Sequence, residues 1–384
     1  MDGQRPPSFC RLVVFFFCMV VNRKLHLGLQ SRGVSSLLYC IERQANVGNE
    51  PMNPVTGTIL QRLASDGAFV SGAQLCQELQ MTRSAVWKHI VLLRELGYEI
   101  EAVTGLGYRL AALRGIPNAA EVDPLLTTRR FGRHLVFLKS TDSTNLFARA
   151  HARQGGQEGA VVIADSQSGG RGRMNRTWVS PPGVNLYCSL VLRPAVPSMR
   201  VPEIPLLAAA AIHKALINSL PDFQPLIKWP NDILVRGRKV CGILCEMESE
   251  PDMAHFVVVG FGINVNLDPL PEELGGTATS ILLETGIPAS RARLLAEILN
   301  QFERLYDEWF TEEDLGFLLP WFERYSWLNG KEVTIEQFQK TISGRVTGLS
   351  REGQLMLQRD DGTVIAVSSG EAHLRNIHNK ITDQ

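Results

Sequence analysis

The chain has 384 residues, 45% hydrophobic and 20% charged, enough for two or three domains each with its own core. Its 39 basic residues balance 39 acidic ones, which excludes a generic polyanion binder; any nucleic-acid contact has to come from a local surface. Seven cysteines (10, 18, 40, 76, 188, 241 and 245) are odd in number and include no CxxC pair, which favours buried free thiols and a reducing cytoplasm.

The first fifty residues differ from the rest. "LVVFFFCMVV" (12–21) is too short to span a bilayer. It follows Arg5 and Arg11 as the apolar part of a secretory signal would, but no clean small-residue cleavage site comes after it, and the downstream thiols argue against export. The expectation is that 1–52 is an unstructured extension, or the product of a start codon assigned too early with Met52 as the true first residue. It is left out of the fold.

From 53 to 113 the pattern is that of a small DNA-binding unit. Residues 55–66 place Ile59, Leu60 and Leu63 on one helical face. Ser71 is a natural N-cap for a second helix carrying Leu75 and Leu79 four apart. A third helix (82–98) keeps Val86, Ile90, Leu93 and Leu96 at helical spacing, and "YEIEAVTGLGYRLAA" (98–112) alternates around a Gly105–Gly107 turn. Three helices followed by a hairpin form a winged helix-turn-helix, and Arg83, Ser84, Trp87, Lys88 and His89 on the third helix would meet a major groove. Between Pro54 and Leu110 five basic residues (62, 83, 88, 94, 109) offset five acidic ones (66, 78, 95, 99, 101). One such module binds DNA weakly, and two tethered in a dimer gain by effective concentration.

"RGIPNAAEVDP" (114–124) reads as a linker. The next region, 125–327, mixes strands at 134–140, 160–165, 185–194, 225–229, 240–247 and 256–266 with helices at 143–152, 202–219 and 289–309. Short links between several adjacent strands predict a mixed sheet. The tail, 328–378, is a run of short alternating strands punctuated by Glu352-Gly353 and Asp361-Gly362, which predicts a small β-barrel. The fold class is therefore α+β.

Three segments carry the chemistry. In "GGRGRMNRTW" (169–178), glycines at 169, 170 and 172 would free backbone N–H groups and allow close approach, while Arg171, Arg173 and Arg176 add guanidinium forks suited to carboxylate or phosphate. In "TDSTN" (141–145), Ser143, Thr144 and Asn145 follow a strand; on their own they suit a helix N-cap. Gln167 stands just before the Gly-Arg loop. In "KWPND" (228–232), Lys228 ends a strand on the face opposite Ile227 and Trp229, and a cation there calls for an anion; Asn231 and Asp232 suit a nucleotide, a metal or a turn. Together they suit activation of a carboxylic acid by a nucleoside triphosphate, where cations offset the repulsion between two anions.

"DSTN", the Gly-Arg loop, "KWPND", "GILCE" and "GFGINVN", in that order, resemble biotin–protein ligase, and the winged helix makes the chain similar to the bifunctional form that also represses the biotin operon. The resemblance implies a catalytic domain like that of class II aminoacyl-tRNA synthetases with an SH3-like barrel after it. It implies biotin, ATP and Mg²⁺ as reactants, biotinyl-5′-AMP as intermediate, and the lysine of a biotin carboxyl carrier protein as acceptor. Ser143, Thr144, Asn145, Gln167, Arg171, Gly172, Arg173, Lys228, Gly242 and Ile243 would hold biotin or its adenylate, with Lys228, Arg173 and Arg171 as the catalytic cations. Arg176, Trp178, Asn231 and Asp232 would take ATP; no residues are assigned to a resident metal. Operator DNA and a homodimer of the adenylate-bound form are the further partners implied, with no membrane. Asn175 stands where the family loop has glycine, and asparagine is the residue that best tolerates a positive φ there. Two rivals share the architecture: lipoate–protein ligase, and a biotin sensor whose ligase domain is inactive.

Overall fold

The computed structural model describes residues 53–375 apart from 65–66, 113, 250–252 and 338–339. The apolar run at 12–21, Met52, the first three cysteines, Asp66 and residues 376–378 lie outside the described residues. Among those described, no helix is long and apolar enough to cross a membrane.

The winged helix forms as its periodicity requires. Helices α1 (Pro54–Ala64), α2 (Gly72–Leu79) and α3 (Arg83–Glu95) bury Ile59, Leu60, Leu63, Leu75, Val86, Ile90 and Leu93 against one another. Ser71 Oγ accepts from Gln74 N and Thr82 Oγ1 from Ala85 N, so both N-caps are made. Leu96, expected on the apolar stripe, is exposed at the C-cap of α3. Strands β1 (Ile100–Val103) and β2 (Gly107–Leu110) are the wing. Gly107 has φ +109°, and a Cβ there would lie 2.1 Å from Val70 O, so no other residue fits.

The segment read as a linker is not a solvated one. It contains helix α4 (Ala119–Val122), whose Ala120 belongs to the winged-helix core and whose Val122 belongs to the core that follows. Glu121, between them, is buried and accepts from Tyr98 Oη at 2.7 Å and from Gly115 N at 2.8 Å. Burial raises its carboxyl above the ordinary range. Two prolines suggested an exposed connector; the apolar spacing of Ala120 and Val122 was too short to read.

The central sheet has seven strands in the order β3-β4-β5-β9-β8-β7-β6, parallel only between β3 (Leu135–Leu138) and β4 (Val161–Ala164). Helix α5 (Thr144–Arg153) joins those two. The others, β5 (Leu186–Leu192), β6 (Leu226–Lys228), β7 (Asp232–Val235), β8 (Arg238–Ser249) and β9 (Ala254–Ile263), are antiparallel to their neighbours. Helix α6 (Ile204–Ser219) begins after a 3-10 turn, Ser198–Glu203, because Pro205 occupies its first turn. After the short α7 (Ile281–Thr285), α8 (Arg291–Glu312) runs from Ser290, whose Oγ accepts from Arg293 N, three residues beyond the expected end. Helices α6 and α8 share one core with the sheet, while α5 packs Ala148 and Ala152 on Val162, Val191 and Val258 in a second.

Helix α9 (Leu319–Tyr325) leads to five antiparallel strands: β10 (Glu332–Gln337), β11 (Lys340–Leu349), β12 (Leu355–Gln358), β13 (Val364–Val367) and β14 (Glu371–Leu374). Both predicted Gly turns are present, with Gly353 and Gly362 at positive φ. These strands share the main core through Val333, Ile335, Leu355 and Leu357, and Trp229 Nε1 donates to Gly353 O at 3.1 Å.

Candidate active site

Alternation along β8 and β9 builds the floor of the site. Gly242, Leu244 and Glu246 pair with Gly262, Gly260 and Val258 across the two strands, on the face that α5 covers. At the start of α5 the glycines leave room above the sheet. A Cβ at Gly262 would lie 2.4 Å from the Trp178 ring, one at Gly242 2.9 Å from it, and one at Gly260 2.0 Å from Asn145 Oδ1. The indole and the amide therefore rest where side chains would be.

A cavity of 610 Å³ opens over this floor. Its wall brings together Ser143, Thr144, Asn145, Gln167, Arg171, Gly172, Arg173, Arg176, Trp178, Lys228, Asn231, Asp232, Gly242 and Ile243, from the start of α5, the Gly-Arg loop, the β6–β7 turn, β8 and β9. The volume suits a ligand the size of an acyl nucleotide. The winged-helix residues Arg83, Ser84, Trp87 and Lys88 lie apart from it, all exposed on α3, with Trp87 at 56% exposure. His89, expected beside them, turns inward and bonds Thr56 Oγ1 at 2.8 Å.

At one end the wall is neutral and polar. Ser143, Thr144 and Asn145 are buried, and they do more than cap. Ser143 is the N-cap residue by backbone but its side chain makes no capping bond; Thr144 N and Oγ1 meet Gln167 Oε1 at 2.9 and 3.2 Å. Gln167 Nε2 in turn donates to Ser180 Oγ at 3.0 Å, which fixes the amide's orientation.

At the other end the wall is cationic. Lys228 sits opposite the buried Ile227 and Trp229, as alternation requires, and its Nζ lies 5.8 Å from the Trp327 ring centroid. Arg173 donates to Asn231 Oδ1 at 3.0 Å, while Arg176 forms a two-point pair with Glu371 of β14 at 2.7 and 2.6 Å. Partial burial alone would raise the Glu371 carboxyl, yet Arg176, His373 and Lys228 hold it below its ordinary value. Arg171 is exposed.

The Gly-Arg loop departs from its expected form. It is a tight hairpin, with Gly172 N donating to Arg176 O at 2.7 Å and Gly169 N to Asp142 O at 2.8 Å, so these N–H groups are engaged within the protein. The positive φ values fall on Met174 and Asn175, at +54° and +58°, and none on the loop glycines. Asparagine thus occupies the left-handed geometry expected of it. Gly170 is needed for space, since a Cβ there would lie 2.5 Å from Trp178 O. Ile243 turns its side chain into the core, and its N–H and C=O are both taken by Asn231.

Sequence reasoning missed Lys239. Its Nζ is 2.6 Å from Asp232 Oδ1 and 5.5 Å from the Trp178 ring centroid, and it lines the cavity beside Gly242. Strict alternation from Gly242 would send it to the core face. A register shift against Ile233 and Leu234 lets Val240 and Cys241 both point inward and returns Lys239 to the site.

A winged helix, a mixed-sheet domain with a cation-lined cavity and a closing antiparallel sheet define a ligase-type enzyme domain joined to a DNA-binding module. The Biotin/lipoate A/B protein ligase family model matches residues 137–264, an HTH domain 56–109 and the Biotin protein ligase C terminal domain 329–375. The chain is 39% identical to the bifunctional ligase/repressor BirA of Bacillus subtilis over 77% of its own length and 90% of that protein. It is 32% identical to that of Escherichia coli over 82% and 95%. The biotin protein ligase of Aquifex aeolicus, solved with biotin and ATP, superposes with a TM-score of 0.56 at 29% identity, covering 63% of this chain and 99% of that one. The chain belongs to the biotin–protein ligase family of bifunctional ligase/repressors.

Proposed function

We propose that this chain is an ATP-dependent biotin–protein ligase that also acts as a DNA-binding repressor of biotin synthesis genes. The observation that carries the reading is the cavity: one wall is neutral and polar, suited to the uncharged bicyclic end of biotin, and the other is lined by guanidinium and ammonium groups. In the first step the biotin carboxylate attacks the α-phosphorus of ATP and pyrophosphate leaves. Arg171, Arg173, Lys228 and Lys239 offset the repulsion between carboxylate and phosphates. In the second, the ε-amine of a carrier-protein lysine attacks the biotinyl carbonyl and AMP leaves. Trp178, Asn231, Asp232 and Arg176 are assigned to the nucleotide, and folding of 171–173 over the adenylate would keep water from the anhydride.

Mg²⁺ would enter with the triphosphate. It would be held chiefly by phosphate oxygens, with Asp232 as the protein's carboxylate. The ion supplies charge neutralisation on the phosphates.

The working parts proposed are a winged helix at 53–113, a catalytic domain at 125–327 and a barrel at 328–378. The exposed Arg83, Ser84, Trp87 and Lys88 support operator DNA as a partner, bound by a homodimer of the adenylate-bound form. Four free cysteines among the described residues, two of them buried, support a reducing cytoplasm.

The test is transfer of labelled biotin, with ATP and Mg²⁺, to a purified carboxyl carrier domain. Wild-type protein labels the domain and prefers biotin to lipoate, while Lys228→Ala and Lys239→Ala stay folded and lose adenylate formation. Preferential use of lipoate, or biotin binding with no pyrophosphate released, would replace this reading with one of its two rivals.

A further inference from the structure

Behind the neutral wall of the cavity runs a chain of polar contacts that ends on a carboxylate which does not itself line the cavity. Asn145 Nδ2 lies 2.8 Å from Glu246 Oε2 and 3.2 Å from Leu244 O, both acceptors. That edge of the amide must therefore be the NH₂, and the other edge presents Oδ1. Ser189 Oγ sits 2.6 Å from Asn145 Oδ1 and 2.8 Å from Thr144 Oγ1, fully buried. Its single proton is committed to Oδ1, which cannot donate. The Thr144 proton then points inward, to Ser189 Oγ or to Gln167 Oε1 at 3.2 Å. What Thr144 turns to the cavity is a lone pair.

Leu244 O and Glu246 both fix the direction of this chain at Asn145, and the carboxylate makes the shorter contact, 2.8 Å against 3.2 Å. Arg149, one turn along α5 from Asn145, donates to Glu246 Oε1 at 3.1 Å and holds the carboxylate in place. Gly260 leaves the space in which the Asn145 amide lies. Resting on the biotin-ligase reading above, we infer that Glu246 is a positioning residue: through Asn145 and Ser189 it sets the hydrogen-bond polarity of the wall, so that Thr144 accepts from a ureido N–H of the bicyclic ring. Without Glu246 only the longer contact to Leu244 O holds that edge of the amide, and the Ser189 proton is less firmly committed to Oδ1. The preference of the wall for an N–H then weakens.

The experiment is biotin-dependent exchange of labelled pyrophosphate into ATP by the full chain, with KM for biotin and for ATP measured separately. Glu246→Leu is expected to raise the biotin KM by about tenfold, the effect of losing one charge-assisted hydrogen-bond constraint, with the ATP KM unchanged. Glu246→Gln, whose side-chain oxygen can still accept from Asn145, restores the biotin KM to within about threefold of wild type. An analogue with one ureido N–H methylated gains on biotin in the Leu variant. Ser189→Ala, a smaller change, gives the same signature if Glu246→Leu folds poorly. Unchanged biotin KM in both variants, or an equal rise in the ATP KM, overturns the inference. A wild-type protein with no biotin-dependent exchange removes the ligase reading itself, and the inference with it.

Discussion

Four glycines decide what the cavity can be, and each acts through the atoms it leaves out. Gly242 and Gly262 face each other across β8 and β9 beneath the Trp178 indole, Gly260 beneath Asn145, and Gly170 beside Trp178 O. Gly262→Ala puts a methyl 2.4 Å from the ring and should tilt it. The expected outcome is a change in tryptophan emission and a rise of about tenfold in the ATP KM, with Tm little altered. An unchanged ATP KM would show that Trp178 does not receive the nucleotide. The buried thiols give a second prediction. Burial pushes Cys188 and Cys241 well above the ordinary thiol range, so both should resist a thiol reagent in the native protein and react only on denaturation. Rapid native labelling of either would contradict their placement.

Secondary elements carry a pH dependence unrelated to catalysis. His213 on α6 is fully buried, its Nε2–H donating to Pro225 O at 2.9 Å while Nδ1 has no partner. Burial is the main cause that brings its pKa down to about 4, with neighbouring Lys214 acting in the same direction. The unfolded chain therefore binds a proton near pH 6.5 that the folded chain takes up only near 4. Stability from this group is complete above about pH 6.5 and falls as the pH drops towards 4, by on the order of 3 kcal/mol. Denaturant midpoints for wild type and His213→Gln between pH 4 and 7 test it; equal slopes in the two proteins would refute it. At this scale much was legible. Heptad-like stripes and period-2 runs located the winged helix, six of the seven sheet strands and the two Gly turns of the last sheet. What was missed has a common cause in brevity and irregularity. Strand β7 was hidden behind the Asn231-Asp232 turn, α4 inside a Pro-rich stretch, and Lys239 behind a bulge that reverses the alternation used to find Lys228. The three segments brought to one cavity were recognisable because polar and cationic residues stood against apolar strands. Two of their partners, Glu371 and Ser189, come from distant elements and leave no local pattern; Glu246 closes the GILCE motif, but its meeting with Asn145 depends on the packing of α5 on β8.

Polar joints tie the described residues together, buried at all but the Arg176–Glu371 pair. Tyr98, Asn118 and Glu121 link the wing to α4, whose Ala120 and Val122 enter two different cores, and the Arg176–Glu371 pair and the Trp229–Gly353 bond fasten the last sheet to the catalytic sheet. Glu121→Ala strips two hydrogen bonds from a buried network and should lower stability by about 2–3 kcal/mol in denaturant unfolding. A loss below about 0.5 kcal/mol, the level of an ordinary surface change, would show that the joint is slack. The repressor half of the proposal is read by gel shift on DNA upstream of biotin genes, with biotin and ATP present. The expected shift weakens steeply with salt and is lost in Arg83→Ala/Lys88→Ala; no shift at low salt would leave the enzyme alone. The central claim is that cations on a loop and two strand ends hold two anions together. Its most direct measurement is the rate of biotin-dependent pyrophosphate exchange into ATP by wild type and by a folded Lys228→Ala/Lys239→Ala/Arg173→Ala protein. The account predicts measurable exchange in the first and a fall of at least about a hundredfold in the second. Exchange at the wild-type rate in the triple variant would contradict it.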